Sequence, residues 1–267
     1  MTKTIHSAPF RAFLLCALLA CVFVSGCATA PYTGRSQFIM MSESEEMSLG
    51  AQASQQVLQQ EKEERGTARA ARVERIGKRI AAVAERPNFQ WEFHTIPSDQ
   101  LNAFCLPGGK VFVYTALIEL TKGNDNELAA VMGHEIAHAI ARHGAERMSQ
   151  SQMAGIGQAV TATAVGVATG SSAAADAAQS GYGMLAQLGV LLPYSRKHET
   201  EADTIGIILA AKAGYDPRAA VTFWKKMAQA NQGKEPVALL STHPLNSQRI
   251  ADLEKEMPRA LEYYKRP

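Results

Sequence analysis

His134-Glu135-Ile136-Ala137-His138 sets two imidazoles four residues apart with a carboxylate beside the first. On an α-helix, positions i and i+4 lie one turn apart on one face, so both rings can point at one ion. Zinc is the natural candidate, because imidazole suits it and it prefers a tetrahedral site. Glu135 can reach an attacking water without ligating the metal, which would make it a general base and then a proton donor to a leaving amine. H-E-x-x-H also arises by chance. The bland alternative is a solvated helix face with two ordinary histidines, so the rest of the chain must decide.

A third protein ligand is needed, with one position left open for water. Ser195-Arg196-Lys197-His198-Glu199-Thr200-Glu201-Ala202-Asp203 offers Glu199 and Asp203, again i and i+4 on one helical face. Glu199 would complete a His₂Glu site. Asp203 would accept a hydrogen bond from the far nitrogen of a ligand histidine and fix its tautomer. Glu201 and His198 face other directions on that helix and read as solvated.

Both motifs need helices under them. Asn124 can cap the first, with Glu127 at its third position and a stripe of Leu128, Val131, Met132, Ile136, Ala139 and Ile140 behind the histidines. The second runs from about Arg196 to Ala213 and stops at Gly214. Ser42 and Glu45 form a capping box for an earlier helix. Val73, Ile76, Ile80 and Val83 line one face of another, which Arg86-Pro87-Asn88 ends. Phe89, Trp91, Phe93 and Thr95 alternate with polar residues as in a half-buried strand, placing His94 on the exposed face. Pro107-Gly108-Gly109 is a turn before the β-rich Val111–Thr115. Asp216-Pro217 starts a helix with Val221, Trp224 and Met227 inward. Ser247 to about Met257 closes the chain. The expected fold class is α+β, mostly helical, with a small mixed sheet and an active-site helix carrying the two histidines. Residues 148–195 hold one charge, Asp176, and are rich in Ala, Gly, Ser, Thr and Gln. They read as two closely packed small-residue helices, a mobile lid or a membrane-associated segment.

The chain has 267 residues, 46% hydrophobic and 19% charged, with a net charge of +2. That is a globular composition, without the basic block that nucleic acid would demand. Four cysteines are too few for a disulfide scaffold at this length. Residues 1–26 differ from the rest: Lys3 and Arg11 precede an apolar run from Ala12 to Val24, the length of a signal-peptide core and short for a membrane-spanning helix. Val24-Ser25-Gly26-Cys27 resembles a bacterial lipobox, which implies cleavage before Cys27 and acylation of that residue. Ala28 after it resembles an outer-membrane sorting signal. An ordinary signal peptide or an uncleaved anchor is the plainer alternative. The domain reading is therefore signal peptide 1–26, lipidated N-terminus and tether 27–41, and a catalytic domain 42–267. Removing 1–26 takes Lys3 and Arg11 from the 27 basic residues and leaves them equal in number to the 25 acidic ones. Cys105 reads as a small buried apolar residue, not a nucleophile.

Taken together, the motifs resemble the HtpX/Oma-type zinc metallopeptidases, gluzincins that include the CaaX prenyl proteases. Four matches in order carry the resemblance: Asn102-Ala103-Phe104 leading to Pro107-Gly108-Gly109; H-E-x-x-H; S-R-x-x-E-x-x-A-D; and Thr242-His243-Pro244 with Arg249 six residues after the histidine. They span about residues 35–255. The lipobox, and the lack of a long helical-repeat extension, resemble the periplasmic lipoprotein branch. The resemblance implies one zinc ion per chain on His134, His138 and Glu199, with Glu135 as base. It implies that His243 either hydrogen-bonds the tetrahedral intermediate or occupies the open zinc position in a latent state, that Arg249 supports the same region, and that His243 or Arg249 faces the developing oxyanion as a catalytic residue. It further implies that the Gly108–Tyr114 strand, with Gly109, Val111 and Val113, is an edge strand that pairs with an extended substrate, an internal sheet strand being the plainer alternative. The activity implied is endopeptidase action on misfolded or misassembled cell-envelope proteins, from a lipid-anchored position at the outer membrane facing the periplasm. Its partners would be unfolded polypeptides, and outer-membrane assembly machinery or other envelope proteases. A latent or non-hydrolytic assembly factor is the alternative, and a metal-free structural lipoprotein is a third.

Overall fold

The computed structural model describes residues 27–153, 194–232, 237–245 and 248–265. Two short antiparallel strands, β1 (Cys27–Thr29) and β2 (Ser36–Phe38), open it. Helices α1 (Glu43–Gln60) and α2 (Ala68–Ala81) follow. A sheet is then built from β3 (Glu92–Ile96), β4 (Ala103–Leu106) and β5 (Lys110–Tyr114). The rest is helical: α3 (Thr115–Leu120), α4 (Asp125–Ile140), α5 (Arg196–Lys212), α6 (Ala219–Ala230), α7 (Ala238–Thr242) and α8 (Arg249–Leu261). Residues 143–153 are also helical. This is the expected mostly helical α+β architecture with a mixed sheet. Among the described residues no helix is long and apolar enough to cross a membrane. Residues 1–26, read above as a signal peptide, and most of 148–195 lie outside the described residues.

Local signals explain several starts. The Ser42 hydroxyl accepts from the Glu45 amide while the Glu45 carboxylate accepts from the Ser42 amide, the capping box that the spacing predicts. Asn124 caps α4 by accepting from the Asn126 amide, while Glu127 is buried and paired with Lys226 Nζ at 2.7 Å.

The sheet order is β3-β5-β4, parallel between β3 and β5 and antiparallel between β4 and β5. Gly108 (φ 77°) and Gly109 (φ 86°) make the β4–β5 turn, and a Cβ on Gly109 would fall 2.6 Å from the Trp91 ring. This order corrects the expectation for Gly109, Val111 and Val113. β5 is hydrogen-bonded on both sides and buried throughout, so no substrate can add to it. Its alternation feeds two cores: Val111 and Val113 pack with α2, α4 and α5, whereas Phe112 and Tyr114 pack with Ala53 and Val57 of α1. Burial also corrects His94. It is buried, stacked on Phe112 with ring centroids 4.7 Å apart, and paired with Glu63 at 2.8 Å.

The stretch read as a tether is folded onto the domain. Ala30 and Ile39 are buried, and Arg35 reaches two carboxylates in the interior. Helix α4 is buried on every side from Glu127 to Ile140, which places it at the centre of the fold and disposes of the solvated-face alternative. It crosses α5 at a backbone contact. A Cβ on Gly133 would lie 2.8 Å from the Gly206 carbonyl oxygen, and one on Gly206 would lie 2.8 Å from the His134 amide nitrogen. Only glycine at both positions lets the two motif-bearing helices approach this closely.

Candidate metal centre

That helix crossing brings the two motifs together. Donor atoms of His134, His138, Glu199 and His243, all four residues buried, lie within 4.8 Å of one another. His134 Nε2 is 3.1 Å from His138 Nε2 and 3.5 Å from Glu199 Oε2, and His138 Nε2 is 3.4 Å from Glu199 Oε1. His243 arrives from the end of α7, its Nδ1 3.0 Å from Glu199 Oε1 and 3.3 Å from His134 Nε2. Three imidazoles and one carboxylate are a zinc donor set. Glu199 Oε2 has no hydrogen-bond partner among the described residues, although Arg249 Nη1 lies 2.9 Å away out of alignment. A buried carboxylate oxygen with no hydrogen bond is anomalous in a folded protein, and a cation among these donors supplies the missing partner. The residues present therefore fit the metal.

Asp203 sits behind His134, with Oδ1 2.9 Å from His134 Nδ1. Arg249 grips Asp203 from α8, Nε to Oδ2 at 2.7 Å and Nη2 to Oδ1 at 2.8 Å, with its guanidinium 3.4 Å from the Trp224 ring centre. This corrects one expectation for Arg249. Its nitrogens are committed to Asp203 and to the neighbourhood of Glu199, so it lies behind the ligands and acts through them, not facing a substrate oxygen.

Glu135 points to the opposite side. Its Oε1 has no hydrogen-bond partner among the described residues, and Oε2 is 3.5 Å from His243 Nε2. Burial raises its carboxyl to about 7, against the opposing pull of His243. It opens onto a cleft of about 380 Å³ whose lining includes Asn102, Phe104, Cys105, Tyr194 and His243. The thiol of Cys105 is pushed up strongly by burial and by Glu135, which keeps it a thiol and not a nucleophile. Among the described residues β4 pairs only with β5, and its residues Ala103, Phe104 and Cys105 border this cleft.

Several polar residues here escape a reading of spacing. Tyr194 stacks on His138 with centroids 3.9 Å apart and hydrogen-bonds through its amide to the Thr242 carbonyl at 2.9 Å. His143, Glu146, His198 and Glu201 form a second buried polar cluster closed by Arg35. This corrects the solvated readings of Glu201 and His198, whose partners come from the hairpin and from residues 143–146. Burial lowers His143 to about 4. Burial also opposes the charge on Glu201, but hydrogen bonds from His143, Thr33 and Arg35 outweigh it and bring the carboxyl to about 2. Helical spacing points away from His143: on a continuous helix it would lie about 140° around from His138. The available signal was that two histidines and two glutamates flank the motifs at 143, 146, 198 and 201.

Comparison with known proteins agrees with this geometry. The profile of peptidase family M48 matches residues 67–257. The chain is 42% identical over 190 residues to the mitochondrial metalloendopeptidase OMA1 of Schizosaccharomyces pombe, covering 70% of this chain and 53% of that protein. It is 31% identical over 254 residues to the Saccharomyces cerevisiae protein of the same name, covering 88% and 70%. It is 36% identical over 185 residues to the beta-barrel assembly-enhancing protease of Escherichia coli, covering 66% and 36%. The chain thus spans about half of the first of these relatives and about a third of the last.

Proposed function

We propose, from the premise that this chain belongs to peptidase family M48, that it is a zinc-dependent endopeptidase cutting extended polypeptides of the cell envelope. The observation that carries this is the buried donor cluster of His134, His138, Glu199 and His243 with Glu135 directed into the adjoining cleft. Zinc, when bound, supplies Lewis-acid polarisation of a peptide carbonyl and makes water easier to deprotonate. Glu135 Oε1 takes the proton of the attacking water and returns it to the departing amine. Burial, and an Oε1 without a hydrogen-bond partner among the described residues, suit it to that exchange near neutral pH. Asp203 holds the proton on His134 Nδ1, leaving Nε2 as the donor. The edge of β4 that is unpaired among the described residues, not β5, receives the substrate main chain as an added strand beside the cleft.

Lipid attachment at Cys27, and a periplasmic position at the outer membrane, are supported by the lipobox-like run before it. Misfolded or misassembled envelope proteins are then the substrate class. The bacterial relative named for enhancing β-barrel assembly supports that choice.

A latent form is favoured by one observation. His243 lies among the other three donors, and four protein ligands leave a zinc site closed, whereas catalytic sites keep a position open. In the active form, His243 withdraws towards the substrate.

The test is a pair of substitutions. Glu135→Gln should retain one zinc per chain and lose cleavage of an unfolded polypeptide by about 10²–10⁴-fold; unchanged proteolysis overturns the assignment. His243→Ala should raise basal cleavage if the fourth donor is inhibitory and lower it if His243 serves only the transition state.

A further inference from the structure

The support behind His138 differs from that behind His134. His138 Nε2 faces the donor cluster, so its other nitrogen, Nδ1, carries the proton whenever Nε2 ligates. Among the described residues that nitrogen meets no carboxylate. It meets His143 Nδ1 at 2.9 Å. His143 must then accept at Nδ1 and carry its own proton on Nε2, which points to Glu201 Oε2 at 2.9 Å. One pair of tautomers satisfies every atom in the series.

Glu201 is held in turn. Arg35 Nε donates to Glu201 Oε2 at 2.6 Å, and the Thr33 hydroxyl donates to Oε1. The other face of the Arg35 guanidinium is bidentate on Glu146, at 2.8 and 2.6 Å. Glu146 also accepts from Gln37 Nε2 at 3.1 Å and from His198 Nε2 at 3.1 Å, beside the ligand Glu199. Thr33, Arg35 and Gln37 all belong to the β1–β2 hairpin segment, more than a hundred residues away in sequence from the carboxylates they hold.

A break in the helix makes the series possible. Arg142 adopts φ 55°, unusual for a residue with a side chain, and ends α4 so that His143 turns back onto His138. Its side chain is tied to Glu46 at 2.6 Å and to the Met41 carbonyl at 2.9 Å.

We infer that His143 is a positioning residue for the metal ligand His138, and that Glu201 and Arg35 extend this support to the β1–β2 hairpin, so that docking of the hairpin governs how tightly the centre holds zinc. The inference rests on the reading of the four-donor cluster as a zinc site.

The experiment is zinc affinity of the full chain, measured by chelator competition, together with the visible spectrum of the cobalt-substituted protein. His143→Phe keeps a ring but neither hydrogen bond; it should weaken zinc binding about 10–100-fold and alter the cobalt spectrum. His143→Gln, which has both an acceptor and a donor, should recover much of the loss. Arg35→Gln should cost a smaller factor, and that factor should vanish in the His143→Phe background, because the effect travels through His143. Wild-type affinity in folded His143→Phe overturns the inference. So does an Arg35→Gln effect of the same size in both backgrounds. If His143→Phe does not fold, Arg35→Gln, at a side chain 12% exposed, is measured alone and in His143→Gln, and unchanged affinity in both overturns it. A wild-type chain that binds no zinc defeats the metal-site reading instead.

Discussion

The two histidine ligands are held by arms that start on the same helix and end at opposite termini. His134 is backed directly by a carboxylate, Asp203, which an arginine from the C-terminal helix α8 clamps. His138 is backed by an imidazole, His143, and only then by a carboxylate, Glu201, which an arginine from the N-terminal hairpin clamps. The electrostatic results differ accordingly. Burial lowers both rings, and Arg249 also works against a charge on His134, yet Asp203 and Glu199 outweigh them and His134 ends above its ordinary value. His138 stays well below, because burial dominates and the neighbouring rings of His134 and His143 add to it, against the pull of Glu199. A direct carboxylate is the tighter arm. An interposed histidine gives a longer one, whose far end lies on a small hairpin.

The largest expected effect comes from cutting the direct arm. Asp203→Leu leaves the buried Arg249 guanidinium short of its bidentate partner, and removing one member of a buried pair costs about 3–5 kcal/mol. Chemical denaturation of the metal-free protein should show that loss, and Glu201→Leu should lose less, because Arg35 keeps Glu146. The reverse order would break the comparison. Next is the crossing the arms share. Gly206→Ala puts a Cβ against the His134 backbone and should destabilise the chain by about 1–3 kcal/mol while weakening zinc binding through both histidines. Unchanged zinc affinity in that variant would show that the arms tolerate separation of α4 and α5. The smallest effect is a pH dependence confined to the N-terminal arm. Burial works against the charge on Glu146, but hydrogen bonds from His198 and Arg35 hold its carboxyl far below the usual value of 4.5. A carboxyl lowered in the folded state adds stability that is complete above its unfolded value and fades as pH falls below it. The stability difference between wild type and Glu146→Gln should therefore be constant above about pH 5.5 and shrink below about pH 4.5. A difference that stays flat into acid would remove the ionised Glu146 from the arm.

Much of the centre can be read from local spacing. The pairs at 134/138 and 199/203 each occupy one helical face, and the structure sets them against each other. The start of α1 follows from its capping box, and the inward face of α2 from Val73, Ile76 and Ile80. The same kind of reasoning misplaced His94, His198 and Glu201. Period and alternation report which residues share a face, not what covers that face. His94 is covered by Phe112 and Glu63, and Glu201 by Thr33 and Arg35. The strand at Gly109–Val113 shows the same limit. Its β character is local, but whether it is an edge depends on β3 and β4 pairing on either side of it.

The donor types, their i,i+4 pairing and the general base between them follow from residue order alone, because helical geometry is periodic and short-range. Which charges are buried, and which groups neutralise them, is set by long-range packing. Arg35 meets Glu201 across 166 residues and Glu146 across 111. A buried carboxylate is tolerable only when such a partner arrives, and nothing in local spacing announces a partner that distant.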